Sequence, residues 1–396
     1  MKKILIFTQA MELGGAERAL LGLLENIDTD QYEVDLFLMK HTGELLGFIP
    51  SKIHLLSEIP QYTCLAVPFK EVLQKKQFAV GFGRGIGKIK AKNTVKKLGL
   101  SADNNVALEL SHKCTLKAMP QISEKRYDLA ISFLTPHYFV RDKVYAKKKI
   151  AWIHTDYSVI DVDVKEELKM WSAYDEIISI SDAVTDAFLV KFPSLKNKIH
   201  VIENMMAADS ITRQANEFKE NEMVKDGAIN LLSIGRFCTA KNFDNVPDIC
   251  SRILSQNCNV RWYLIGYGGS EDLIKRKIEE AKMQDRVIIL GKKDNPYPYI
   301  KSCDIYVQPS RYEGNCVSVH EAQLLGKPVI ITNYATAKSQ LEDGVDGIIV
   351  PKDNKRCAEG IVKVLKDKEL MEYISFNAKN KEQNIKENID KLERLI

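Results

Sequence analysis

The sequence has no Cys-x-x-Cys pair, although eight cysteines occur among its 396 residues. Cys64, Cys114, Cys238, Cys250, Cys258, Cys303, Cys316 and Cys357 stand singly. That excludes a zinc knuckle and a redox dithiol and leaves free thiols in a reducing cytoplasm as the expectation. No apolar run approaches the roughly 18 residues of a membrane span. The apolar stretch Ile4 to Phe7 is shorter than the roughly 7 to 15 residues of a signal-peptide core, so any membrane contact is expected to be peripheral. Glycine and proline are sparse, at 21 and 12, which excludes collagen-like sequence, and a composition 45% apolar and 28% charged excludes wholesale disorder. Net charge is also small: 57 Lys and Arg against 53 Asp and Glu give +4, too little to imply a nucleic-acid binder. At roughly 100 to 200 residues per domain, the length predicts two domains, or three, each able to bury its own core.

What is present is an alternation of short apolar runs with amphipathic stretches, the pattern of an α/β protein. Strands are expected at Lys3 to Thr8, Val34 to Met39, Ile53 to Leu56, Leu129 to Phe133, Lys149 to Ile153, Glu176 to Ile180 and His200 to Ile202. A second series follows at Ile229 to Ile234, Arg261 to Ile265, Val287 to Leu290, Ile305 to Gln308, Val329 to Thr332 and Gly347 to Val350. Continuous apolar character suits parallel strands covered on both faces. Between the series the sequence turns polar, so the expected organisation is a domain over 1–205, a linker over 206–226 and a second domain over 227–375. Residues 376–396 read as a terminal helix returning to the first domain, with Ile385, Ile389 and Leu392 on one face. Two doubly wound domains facing each other across a cleft would place ligands at the carboxyl ends of both sheets.

One segment departs from this pattern. Between Pro68 and Leu98, Lys70, Lys75, Lys76, Arg84, Lys88, Lys90, Lys92, Lys96 and Lys97 are opposed only by Glu71 and interleaved with Phe69, Leu73, Phe78, Val80, Phe82, Ile86 and Ile89. Such sequence suits an anionic lipid surface, each charge contributing about 1 kcal/mol near the membrane. A solvated insertion is the alternative. The run Gly81-Phe82-Gly83-Arg84-Gly85-Ile86-Gly87 fails Gly-x-Gly-x-x-Gly, because Ile86 stands where the third glycine belongs.

Three motifs carry chemistry. Gly14-Gly15-Ala16-Glu17-Arg18 follows the first strand and opens a helix, where glycines let backbone amides approach an anion. Gly235-Arg236-Phe237-Cys238-Thr239-Ala240-Lys241-Asn242 follows the first strand of the second domain and sets a planar and a compact cation on one loop, as a diphosphate requires. Arg311-Tyr312-Glu313-Gly314-Asn315-Cys316-Val317-Ser318-Val319-His320-Glu321 places two carboxylates around a helix N-terminus. If all eight steps were helical, they would be separated by a rise of roughly 12 Å. An elongated ligand with hydroxyls at its ends and phosphates between them, a nucleotide sugar, fits this array. Asp28-Thr29-Asp30 and Asp161-Val162-Asp163 match Asp-x-Asp, yet neither stands at a strand end, so no metal site is expected.

With these motifs in this order, the sequence resembles the retaining glycosyltransferases of family 4, which have the GT-B fold of two facing Rossmann-like domains. The resemblance covers nearly the whole chain. It implies that Arg236 and Lys241 hold the donor diphosphate, that Glu313 contacts the transferred sugar, and that Glu321 contacts the ribose. Gly14, Gly15, Gly235 and the Gly314, Asn315, Cys316 and Val317 backbone would approach sugar and phosphates, and Gly266, Gly268 and Lys292 would belong to the base pocket. His154, ending a strand in Trp-Ile-His-Thr-Asp, matches a histidine placed near sugar and acceptor, and Asn204 matches an asparagine at the start of the linker. The implied activity is metal-independent transfer of a hexose or N-acetylhexosamine from a nucleotide diphosphate sugar, UDP-linked, with no cofactor. The expected acceptor is a polyprenyl-diphosphate-linked glycan in capsule, exopolysaccharide or cell-wall synthesis, reached from the inner face of the cell membrane, with no nucleic-acid partner. A nucleotide-sugar epimerase of the same fold and a non-catalytic nucleotide-sugar-binding subunit remain the alternatives.

Overall fold

Each apolar run named above forms a parallel β-strand in the computed structural model, which describes residues 1–100, 104–217, 222–380 and 385–396. The chain divides into two units, Met1–Met205 with Asn384–Ile396, and Met206–Gln383. The first unit contains β1 (Lys2–Thr8), β2 (Tyr32–Leu38), β3 (His54–Leu55), β4 (Arg126–Ser132), β5 (Tyr145–Ile153), β6 (Glu176–Ser179) and β7 (Ile199–Val201). They lie in the order β3-β2-β1-β4-β5-β6-β7. The second contains β8 (Ile229–Ile234), β9 (Val260–Ile265), β10 (Val287–Gly291), β11 (Ile305–Gln308), β12 (Val329–Thr332) and β13 (Ile348–Val350), in the order β10-β9-β8-β11-β12-β13. In each sheet the strand order reverses beside the first strand, between β1 and β4 and between β8 and β11. Doubly wound folds bind ligands at the carboxyl ends of strands flanking such a point.

Burial explains why these runs are strands. Ile4, Leu5, Ile6 and Phe7 of β1 are all fully buried, as only a strand covered on both faces permits. Expected and observed limits differ where polar residues extend a strand. β5 begins at Tyr145 rather than Lys149, and Lys147 in the added portion pairs with Asp128 of β4 at 2.7 Å.

Three expectations are corrected. First, the described part of 206–226 belongs to the second unit and is not a free linker; residues 218–221 lie outside the described residues. Ala208–Gln214 is a helix with Ile211 buried, Val224 N donates to Tyr263 OH at 2.8 Å, and Asp226 pairs with Arg261 at 2.9 Å. Second, the described parts of 376–396 do not all return to the first domain, and residues 381–384 lie outside the described ones. Lys368–Asn380 buries Ile374 and Ala378 in the second unit, whereas Ile385–Glu393 belongs to the first, where Asn388 Oδ1 accepts from Glu203 N at 3.3 Å.

Third, the basic segment forms the helices Phe69–Gln74 and Phe78–Leu98, and Arg84 does not join the exposed cations. Its Nη1 donates to the carbonyls of Cys64 at 2.6 Å and Val67 at 2.8 Å. The glycine run serves packing: a Cβ on Gly83 would stand 2.8 Å from Cys114 O, and one on Gly87 2.6 Å from Ser111 Cα. Both contacts lie on the helix Val106–Thr115, so the glycines allow two helices to approach closely.

Candidate functional site

In the second unit, the loops after β8 and β11 are tied together by their own side chains. Asn242, at a left-handed φ of 61°, donates through Nδ2 to Pro309 O at 2.9 Å. Arg311 N donates to Ala240 O at 2.7 Å, and its guanidinium grips both carboxylate oxygens of Asp244 at 2.9 and 2.7 Å. Loop geometry at the switch point is therefore preset by hydrogen bonds outside the motif's expected functional residues.

This framework sets Lys241 beside Glu313, Nζ to Oε1 2.6 Å, with side chains 17% and 11% exposed. Ser310 Oγ donates to the same Oε1 at 2.5 Å and Gln308 Nε2 lies 3.5 Å from it. All three partners converge on Oε1, which leaves Oε2 as the oxygen without a partner among the described residues. Burial opposes the charge of Lys241, but the Glu313 carboxylate outweighs it and holds its pKa above the ordinary lysine value. The Cys316 thiol, 3.8 Å from Nζ, is pushed up to about 11 by burial and by Glu313, so it is protonated and inert at neutral pH.

The helix carrying the second carboxylate begins at Val317, with Cys316 as its N-cap and no side chain capping it. Val319 N donates to Cys316 O at 3.0 Å, so the amides of Val317 and Ser318 are the ones open to an anion. Only part of the Glu313-to-Glu321 span is helical, so the 12 Å rise does not apply. Glu321 is also more enclosed than its motif suggests: it is 1% exposed, and Tyr297 OH donates to its Oε1 at 2.8 Å. Asn315 Oδ1 is engaged by His320 Nε2 at 2.8 Å, leaving its Nδ2 and its backbone as the groups with which Asn315 could meet a ligand. Arg236 is exposed and has no ion-pair partner among the described residues.

Three glycines let the neighbouring β8 and β9 loops pack. A Cβ on Gly235 would meet Lys241 Cε at 2.9 Å, and one on Gly266 would meet Gly235 O at 1.9 Å. Gly266 and Gly268 have φ of 151° and 150°, a region that glycine alone adopts readily. Lys292, just past β10, places Nζ 4.8 Å from the centre of the Tyr267 ring. Tyr267, between the two glycines, and Tyr297 were not among the expected site residues. An aromatic following a strand was the available signal for Tyr267; nothing local marked Tyr297.

In the first unit, Gly14 is the N-cap of the helix Gly15–Asn26, and a Cβ there would fall 2.1 Å from the Glu17 carboxylate. Glu17 thus folds back over the turn that opens the helix. His154 directly follows β5, its ring 4.4 Å from that of Phe133 and 6.1 Å from that of Trp152. Burial, with His137 nearby, lowers its pKa to about 3, so the imidazole is neutral at physiological pH. Asn204 Oδ1 is buried without a partner. The Asp-x-Asp pairs do local structural work. Asp163 accepts from Glu166 N at 3.2 Å and caps a helix, and Asp28 accepts from Asp30 N at 2.9 Å in a turn. Among the described residues no group of three or more His, Cys, Asp or Glu could hold a metal ion.

Comparison with known proteins identifies the motif-bearing unit. Residues 214–381 match the family described as glycosyl transferases group 1. The capsular polysaccharide biosynthesis glycosyltransferase CapM of Staphylococcus aureus is 28% identical over 228 residues, 55% of this chain and 59% of that protein. The match thus spans less than two thirds of CapM. The N-acetylgalactosamine-N,N'-diacetylbacillosaminyl-diphospho-undecaprenol 4-alpha-N-acetylgalactosaminyltransferase of Campylobacter jejuni is 23% identical over 96% of this chain and 95% of its own length. The crystal structure of Anabaena Alr3699/HepE in complex with UDP and glucose superposes with a TM-score of 0.68 at 17% identity, covering 100% of this chain and 99% of that one. That likeness shows the fold. The chain has the GT-B fold, and its residues 214–381 match the group 1 glycosyl transferases.

Proposed function

We propose that the chain moves a hexose or N-acetylhexosamine from a UDP-linked donor to a hydroxyl of a polyprenyl-diphosphate-linked glycan, with retention of configuration, in capsule, exopolysaccharide or cell-wall synthesis. The carrying observation is the placement of Lys241, Glu313 and the uncapped N-terminus of the helix Val317–Leu324 around the β8–β11 switch point. Two side-chain cations, Arg236 and Lys241, and the open amides supply the counter-charge a diphosphate needs. Fixed donors of this kind stabilise a leaving group as charge develops on it, each removed donor typically costing about 100- to 1000-fold in rate. Glu313, held through Oε1, keeps Oε2 to accept from hydroxyls of the transferred sugar. In the proposed step the C–O bond to the departing phosphate breaks as the acceptor oxygen attacks the face it vacates, and a phosphate oxygen takes the acceptor proton.

UDP as the nucleotide is supported by the Anabaena structure, whose own complex holds UDP and glucose. A lipid-linked acceptor is supported by the Campylobacter relative, whose name specifies a diphospho-undecaprenol substrate. The helix Phe78–Leu98 adds a surface suited to that acceptor. Phe78, Phe82 and Ile89, 63%, 72% and 66% exposed, recur at i, i+4 and i+11 on one face, opposite the buried stripe Val80, Gly83, Gly87 and Ala91. Lys70, Lys75, Lys76, Lys88, Lys90, Lys92, Lys96 and Lys97 are all exposed along the two helices and the turn between them. Among the described residues no helix is long and apolar enough to cross a membrane, and the reading is peripheral attachment at the inner face of the cell membrane.

Screening UDP-linked hexoses and N-acetylhexosamines for acceptor-dependent UDP release tests the proposal. Release from at least one donor is expected. No release with any donor, despite UDP binding, would favour a binding subunit.

A further inference from the structure

The strand β11 carries apolar residues on one side and hydrogen-bonding residues on the other. Ile305 and Val307 enter the apolar core of the second unit, while Tyr306, Gln308 and, past the strand end, Ser310 alternate with them and are all fully buried. A buried hydroxyl or amide costs stability unless it is paired, a cost that an apolar side chain at 308 would avoid. Here each is paired, and the partners form one chain that ends on Glu313.

The sense of every bond in that chain follows from the hydrogens each group owns. Ser310 Oγ lies 2.5 Å from Glu313 Oε1, and a carboxylate has no hydrogen, so the single hydroxyl hydrogen of Ser310 points there. Toward Gln308, 2.8 Å away, Ser310 can then only accept, which requires the amide nitrogen Nε2 on that side and turns Gln308 Oε1 to Tyr306. Tyr306 OH, 2.7 Å from that amide oxygen, must donate to it; the Ile234 carbonyl, at 3.5 Å, is too distant to compete. With its hydrogen so placed, the Tyr306 oxygen accepts from the Ser318 hydroxyl at 2.7 Å, and Ser318 accepts from the protonated Cys316 thiol at 3.3 Å. Lys241 closes the circuit, donating to Cys316 Sγ at 3.8 Å and to Glu313 Oε1 at 2.6 Å. Hydrogen bonds arranged head to tail in this way polarise and strengthen one another.

Lys241 is also the cation a donor diphosphate needs. When phosphate draws the ammonium away, Ser310 remains as a neutral anchor on Oε1. It serves fully only while Gln308 presents nitrogen to it, because an amide turned over would offer oxygen and divide the Ser310 hydrogen between two acceptors. Tyr306 prevents that turn. We propose that Gln308, oriented by Tyr306, is a positioning residue that commits the Ser310 hydroxyl to Glu313 Oε1 and thereby keeps Oε2 aimed at the sugar being transferred. This rests on the sugar-transfer reading above and adds how the carboxylate keeps its orientation once phosphate competes for Lys241.

A double-mutant cycle on the full chain tests this, with wild type, Gln308→Leu, Glu313→Ala and the double variant. UDP release is followed with the UDP-linked hexose or N-acetylhexosamine that wild type uses best and a polyprenyl-diphosphate-linked glycan as acceptor; UDP affinity and melting midpoint are read by calorimetry. In Gln308→Leu, kcat should fall about tenfold or more, since a small misplacement of a group at the reaction centre is costly. The UDP dissociation constant should stay within about twofold, because the cations and amides that meet the diphosphate are untouched. In the Glu313→Ala background the same substitution should lower the residual rate by less than about twofold. Tyr306→Phe, which removes one oxygen and keeps the ring, should show the same pattern and takes the place of Gln308→Leu in the cycle if that variant does not fold. An unchanged kcat overturns the proposal. A loss as large without Glu313 as with it, or a parallel fall in UDP affinity, overturns it in favour of a structural role. Should wild type release no UDP from any donor, the sugar-transfer reading fails instead, and the melting midpoints still decide the chain: losses from Gln308→Leu and Glu313→Ala that do not add support it, and additive losses overturn it.

Discussion

Lys241→Met separates the two tasks assigned to Lys241, holding Glu313 and meeting the diphosphate. The substitution keeps the aliphatic stem that passes Gly235 but removes the ammonium 2.6 Å from Glu313 Oε1. Breaking a fully buried pair typically costs about 3–5 kcal/mol, because the remaining charge has no partner. Here both side chains retain slight exposure and Ser310 still donates to Glu313 at 2.5 Å. A loss of about 2 kcal/mol is therefore expected, and at about 2–4 °C per kcal/mol the melting midpoint should fall by about 4–8 °C. A charge-assisted hydrogen bond to phosphate contributes about 1.5–3 kcal/mol, so UDP affinity should drop about ten- to hundredfold by calorimetry. Adding Glu313→Gln removes the stranded carboxylate. The double variant should regain most of the lost stability while leaving UDP affinity low. A UDP dissociation constant within threefold of wild type in Lys241→Met would refute the diphosphate role.

Other perturbations address other parts of the account. Glu313→Ala should leave UDP affinity within a few-fold while lowering transfer at least about 100-fold; undiminished turnover would remove Glu313 from the reaction. Gly87→Ala should destabilise the first unit by about 1–3 kcal/mol, since its Cβ would meet Ser111 Cα at 2.6 Å; an unchanged melting curve would show that the two helices separate freely. Exchanging Lys88, Lys90, Lys92, Lys96 and Lys97 for glutamine should abolish sedimentation with anionic vesicles, and retained sedimentation would place membrane contact elsewhere. Glu109 also predicts a pH effect: its carboxyl, faced by Glu167, His137 and His154, is raised from 4.5 to about 7, so its stabilising contribution is complete below 4.5 and lost as pH rises through 7. That amounts to about 3 kcal/mol at most, and Glu109→Gln should remove it. His112, His137 and His154, lowered chiefly by burial to about 3, act oppositely, costing stability as pH falls from 6.5 towards 3 in both proteins. Identical stability slopes for wild type and Glu109→Gln between pH 5 and 8 would show that Glu109 does not titrate there.

Strand positions were legible because a parallel strand buried on both faces must be apolar throughout, as β1 is from Ile4 to Phe7. Their polar ends were less so: nothing in the run Lys147 to Lys149 announces that Lys147 pairs with Asp128 across the sheet. The approach of Lys241 to Glu313 was legible because strand-end loops place short motifs at the switch point. Their supports were not, since Tyr297 and Asp244 are joined to Glu321 and Arg311 only through the fold. The basic segment gave its charge but not its angular arrangement, so Arg84 was counted with the lysines although its guanidinium turns inward. Glu109 belongs to no motif. Its surroundings come from the loop after β4, the end of β5 and the helix Val164–Trp171, and only folding brings these together.

The central claim is sugar transfer, and the mass of the acceptor tests it most directly. The full chain would be incubated with UDP-linked hexoses and N-acetylhexosamines and a polyprenyl-diphosphate-linked glycan, and donor and acceptor then weighed and their sugars analysed. The account predicts an acceptor heavier by one sugar residue, with an equal amount of UDP released. An acceptor of unchanged mass beside an isomerised donor would contradict it and identify an epimerase.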